Sequence, residues 1–123
     1  MREKKCVTVV NTSRNQVLAQ TVHLATTWRA RVQGLGGAPP LSAEEGMLLL
    51  PCRQVHMHHM TYPILAVYVD RRGRVLACPI LEPEMRGPFC WRAVAVIELM
   101  GDHSADVAVG DVLHWYEERG NNG

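Results

Sequence analysis

Apolar runs in this chain are short, and turn-forming residues separate them. Lys5–Val10, Val17–Leu24, Met47–Leu50, Val55–Met60, Ile64–Asp70, Val75–Ile80, Trp91–Met100 and Val112–Tyr116 each read as a strand. Asn11-Thr12-Ser13-Arg14-Asn15 and Arg71-Arg72-Gly73 carry turn chemistry between two such runs, so each predicts a hairpin. Leu81–Phe89 contains two prolines and a glycine and reads as a loop. Turns recurring every ~8–12 residues are the pattern of an all-β barrel or sandwich.

Only one stretch has helical periodicity. Leu24, Trp28, Val32 and Leu35 are spaced by four, four and three residues, which puts them on one helix face. A helix is expected near Thr27–Gln33, capped by Thr26 or Thr27 and ended by Gly34, Gly36-Gly37 and Pro39-Pro40. Ser42 and Glu45 form a Ser-x-x-Glu capping box, enough for a single helical turn. The expected fold is therefore mainly β: one small barrel or sandwich of about eight short strands, with one short helix after the first hairpin. Residues 1–116 read as a single domain and 117–123 as a flexible tail. The expected core comprises Trp28, Val32, Leu35, Met47, Leu49, Ile64, Val67, Tyr68, Ala95, Ile97 and Leu99.

The bulk numbers narrow the partners. Over 123 residues the net charge is +1, with no basic stripe, so nucleic acid is not expected. No apolar run approaches the ~18 residues a membrane-spanning helix needs. The charged start leads straight into a strand without a signal-peptide core, so the chain reads as cytoplasmic; a chain trimmed of its leader would read the same way. The four cysteines lack zinc-knuckle or redox spacing. In a reducing compartment they are thiols, whereas a Cys52–Cys90 disulfide would require export.

Val55-His56-Met57-His58-His59-Met60 holds three of the six histidines. Read as a strand, it alternates faces, so His56, His58 and Met60 share one side. A His-x-His pair has chelating geometry, but a structural zinc site needs a third and fourth ligand. Cys52, His103 and His114 are the candidates, all outside the run, and no acid lies between His59 and Asp70. The reading expects no cofactor; zinc or copper held by His56 and His58 is the alternative.

Several segments resemble a known family. "RVQGLGG" is similar to an Arg-x-x-Gly-Leu signature, "EEGMLLLP" to a Gly-Met-Leu-Phe strand, and "PCRQVHMHHMTYPILAVYVDRRGRVL" to the family's central block. "AVAVIELMGD" and "VAVGDVL" resemble its closing strands. On these motifs the chain is identified as a member of DUF192 (also UPF0127), small β-rich domains of unknown function. The resemblance implies a compact β domain with a short helix and no established activity. Its motif residues map onto Arg31, Gly34, Leu35, Gly46, Met47, Pro51, Cys52, His56, Met60, Pro63, Ile64, Asp70, Gly73, Glu98, Gly110 and Asp111. The chain departs at Leu65, where the family carries an acid, and at His58 and His59. That acid implies a wet rim or a facing cation, so Leu65 is expected to be partly exposed within reach of Arg31 or His56. Leu65→Asp is then expected to cost no more than about 1 kcal/mol.

The function read from these features is a non-enzymatic binding or accessory domain. Its cleft would lie near the helix and the His-rich strand, with Arg31, His56, Met60 and Asp70 as ligand contacts. Trp28, Trp91 and Trp115 either line that cleft or fill the core. The partner would be a peptide or small ligand, and the protein a monomer or weak dimer. An enzyme has less support, because hydrolase, phosphate-loop and dinucleotide motifs are absent. A small hydrolase would have to rest on Cys52 and His56 as nucleophile and base.

Overall fold

The computed structural model describes residues 5–26 and 39–117. The expected helix near Thr27–Gln33, with Trp28, Arg31, Val32 and Leu35, lies outside the described residues, as do positions 118–123 of the expected tail. The described chain forms β1 (Cys6–Asn11), β2 (Gln16–Ala25), β3 (Glu45–Leu49), β4 (Ile64–Val69), β5 (Val75–Ala77), β6 (Ile80–Leu81), β7 (Ala95–Met100) and β8 (Leu113–Glu117). A 3-10 helix at Gly101–Asp106 is the one helical element among the described residues.

All eight strands join one sheet in the order β5-β4-β7-β3-β2-β1-β8, with β6 continuing the β5 edge of β4. Neighbours are antiparallel except β2 and β3, which run parallel. The sheet curls into a half-barrel until its edges meet at one end. There the Leu113 N–H donates to the Gly73 carbonyl at 2.8 Å, and the Val75 N–H to the Asp111 carbonyl at 2.8 Å. Gly73 is required at this seam twice over. Its φ is +85°, a left-handed value that favours glycine, and any Cβ there would run into the Leu113 carbonyl.

Two hydrophobic layers flank the central strands. The inner core draws on seven strands and includes Val9, Val22, Leu48, Leu65, Val67, Ile97, Leu99 and Leu113. The second core lies on the opposite face of β4 and β7. Ile64, Ala66, Tyr68 and Val96 meet Val55, Met57, Met60 and Tyr62 from the connecting loops there. Both faces of β4 are thus covered, and all six of its residues are buried.

The structure corrects several expectations. Leu65 is not at a rim: it is 1% exposed and points into the inner core. Val55–Met60 is not a strand, so its histidines and Met60 do not share a strand face. Met57 and Met60 are both buried, a spacing of three that alternation cannot deliver. The chain turns instead at His58-His59, with His59 at φ 63°, and only His56 makes a bridge, to Arg86. The Ser42–Glu45 box forms one of its two bonds, Ser42 N–H to Glu45 Oε1 at 2.9 Å, while the Ser42 hydroxyl accepts from the Glu44 N–H, and no helix starts there. Glu45 already pairs with Thr21 as the first residue of β3. Val75–Ile80 is split at Cys78-Pro79 into β5 and β6. Trp91–Val94 precedes β7 rather than forming its start.

An acid at position 65 would enter an apolar interior with no partner, at a cost of several kcal/mol. Leu65→Asp is therefore expected to abolish the cooperative unfolding transition in urea at room temperature. Ile97→Ala, which only opens space in the same core, is expected to lower stability by about 2–4 kcal/mol.

Candidate functional site

The second core is roofed by two paired loop segments. The Cys90 N–H donates to the Arg53 carbonyl (2.9 Å), the Gly87 N–H to Val55 (2.8 Å), the Met57 N–H to Met85 (2.9 Å) and the Glu84 N–H to Met57 (3.0 Å). This irregular ribbon is tied to the sheet by the Cys52 N–H on the Val94 carbonyl (3.0 Å) and the Val94 N–H on the Val69 carbonyl (2.9 Å). Gly87 lets the roof come down. A Cβ there would collide with the Tyr68 hydroxyl and press on Leu81 at 3.0 Å.

Under the roof sits a polar group in an apolar setting. Glu98 is on β7, directly opposite Met47 on one side and Ala66 on the other. It is 4% exposed, and its Oε1 has no hydrogen-bond partner among the described residues. Burial pushes its carboxyl from the usual range up to about 8, so at neutral pH it is predominantly the uncharged acid. The Tyr68 hydroxyl is likewise buried and unpartnered among the described residues. The Val55 carbonyl beneath the roof accepts from the Gly87 N–H. Burial raises the Tyr68 phenol well above its ordinary range; the adjacent Val55 backbone, which does not reach hydrogen-bond geometry, offsets part of this, and Cys90, Cys52 and Glu98 add to the rise electrostatically. Burial, then Glu98, raises Tyr62, whose hydroxyl donates to the Pro39 carbonyl at 3.3 Å. Two phenols, one carboxylic acid and the half-buried thiols of Cys52 and Cys90 thus share one face of the sheet.

The DUF192 model, described as "Uncharacterized ACR, COG1430", matches residues 9–115. The chain belongs to the DUF192 family. No curated protein matches the sequence. The fold is similar to a protein of unknown function from Novosphingobium aromaticivorans DSM 12444, at 26% identity and a TM-score of 0.75, covering 91% of this chain and 85% of that one. It is also similar to a protein from Sinorhizobium meliloti 1021 described as a "putative transcription regulator", at 22% identity and a TM-score of 0.74, covering 92% and 94%. At that identity the second likeness carries the fold alone.

The residues singled out in the sequence of this DUF192 domain are dispersed. Arg31 lies outside the described residues. Met60 is buried in the second core, and His56 is exposed on the roof beside Arg86. Asp70 lies beyond the far end of β4, about 20 Å along the chain from Pro63. Its Oδ1 there accepts the N–H groups of Arg72 (2.9 Å) and Arg74 (3.0 Å), which shape the hairpin turn. His58 is exposed with Nδ1 3.4 Å from Glu84 Oε1. Among the described residues, no three His, Cys, Asp or Glu side chains converge as a metal-holding group. The Cys52 thiol donates to the Gln54 carbonyl at 3.2 Å. Trp115 is half-buried and Trp91 exposed. Glu98 was legible as a motif position but not as a site. Its signal is a lone acid inside the apolar run Ala95–Met100, which forces a charge into a strand buried on both faces.

Glu98 couples stability to pH. Its proton is held more tightly folded than unfolded, so the native state binds more protons between about 4.5 and about 8. Its contribution is intact below the unfolded value, declines as pH rises by up to about 1.4 kcal/mol per unit, and levels off above the folded value. Urea unfolding at pH 5 and pH 8 is expected to show a larger loss of stability in the wild type than in Glu98→Gln, which has no proton to lose.

Proposed function

We propose that this DUF192 domain is a non-enzymatic binding domain whose ligand is a small uncharged molecule held between Glu98 and Tyr68 beneath the Arg53–Met57 and Glu84–Cys90 roof. The observation that carries the reading is the pair of buried oxygens, Glu98 Oε1 and Tyr68 OH, left without partners among the described residues. A buried polar atom without a hydrogen bond costs about 1–3 kcal/mol, so a ligand that satisfies both recovers that cost on binding. A mostly neutral carboxylic acid and a phenol can each donate and accept. Their complement is a molecule bearing an amide or hydroxyl group, and an anion would meet no cation among the described groups that line the core. Binding is favoured over catalysis because the Cys52 thiol is directed at the Gln54 carbonyl and His56 lies out on the roof.

A thermal-shift panel of neutral amides, alcohols and sugars at pH 6 tests this. A compound present at one hundred times its Kd would stabilise the fold by about 2.7 kcal/mol. The response is expected to fall in Glu98→Ala and Tyr68→Phe. A response of undiminished size in both variants, or none from any compound, would sink the reading.

A further inference from the structure

We infer that the outer surface of the roof, centred on Arg53 and Trp91, docks an acidic, aromatic-containing peptide segment of a protein partner. This surface faces away from Glu98 and does not depend on the ligand reading above. Trp91 is 74% exposed and Phe89 58%, two large aromatic side chains separated by one residue. Between them Cys90 points back to the second core, and its N–H bond to the Arg53 carbonyl fixes the backbone beneath the pair. Single exposed apolar residues are ordinary, but an adjacent Trp and Phe on a hydrogen-bonded platform form a built surface.

Arg53 is already organised for an anion. Its Nε donates to the Trp91 carbonyl at 3.1 Å, and its guanidinium carbon lies 5.5 Å from the centre of the Trp91 ring. That leaves the two Nη groups, which have no acceptor among the described residues, as an oriented fork. The two segments that carry it hold charge of one sign. Arg86 and Arg92 are also exposed, while Pro51–Met57 and Met85–Ile97 contain no acid. Glu82 and Glu84 sit at the opposite turn, where Glu84 faces His58 and the His59 N–H. Asp70, which follows the Val69 carbonyl that the Val94 N–H reaches, is taken up by the Arg72 and Arg74 N–H groups.

Charge complementarity selects the occupant. Three arginines suit the carboxylates of a short peptide, and Trp and Arg are the residues that most often anchor protein interfaces. A nucleic acid would draw on a broader cationic stripe, and the whole chain carries only +1.

The test uses the full chain and a fluorescent random copolymer of glutamate and tyrosine. Polyglutamate, oligo-dT and phosphatidylglycerol vesicles are the comparison probes. The copolymer is expected to bind more tightly than the other three. Trp91→Ser and Arg53→Ala are each expected to weaken it about tenfold, the scale of an interface anchor. Arg92→Glu should weaken it too, whereas Lys5→Ala, an exposed cation just before β1 on the other side of the sheet order, should not. Circular dichroism checks that each variant is folded, and Trp91→Ser with Arg92→Glu decides the matter if Arg53→Ala is not. The proposal is overturned by no copolymer binding, by binding that Trp91→Ser and Arg92→Glu leave intact, or by tighter binding of oligo-dT or vesicles.

Discussion

Strand β4 has no solvent side. Ile64, Ala66 and Tyr68 face one apolar layer while Leu65, Val67 and Val69 face another. A strand covered on both faces needs two roofs, and a curled sheet supplies only one by folding over itself. The other must come from the connections. The chain between β3 and β4 and the chain after β6 therefore pair into a layer rather than hanging free as surface loops. The buried acid, the unpartnered phenol, the close approach at Gly87 and the exposed aromatics outside all follow from that demand.

Nine of the family's motif positions fall into two physical groups. Asp70, Gly73, Gly110 and Asp111 stand where the sheet edges meet. The Asn11 amide donates to Asp111 Oδ2 at 2.9 Å and holds its carboxyl below the usual range. Arg14 Nε pairs with the same oxygen at 3.1 Å, and the Ala108 N–H reaches it at 3.1 Å. One carboxylate thus fastens the first hairpin to the turn before β8. Met47, Cys52, Met60, Ile64 and Glu98 instead surround the second core or lie within it. The first group keeps the half-barrel shut; the second defines what lies under its roof.

Much of the fold was legible in the sequence because it rests on local rules. The first hairpin, the Arg71-Arg72-Gly73 turn, β4 and β8 follow from alternation, apolar runs and turn residues. The His-rich segment defeated the same rules because its apolar residues answer to two anchor points three positions apart, not to a pleat. Leu65 was misplaced for a different reason. An acid at that position elsewhere in the family was taken to describe the environment here, whereas a leucine there packs as leucine does. Alternation puts Glu98 on the face opposite Ala95, Ile97 and Leu99, which implies a solvent-facing side chain. That inference holds for a sheet with one wet side, and this sheet has none at that point.

The pairing of β1 with β8 has a consequence for the order of events during synthesis. Val7 lies opposite Glu117 and Asn11 opposite Leu113, so the first strand waits for the last described one to complete its ladder. Until residues 113–117 leave the ribosome, β1 offers a row of bare N–H and C=O groups along one edge. The parallel β2–β3 step adds a second delay, because β3 joins only after a long crossover has been made. A nascent domain of this architecture is therefore exposed to wrong edge-to-edge pairing until β8 has been made, and β8 acts as the cap that ends that exposure.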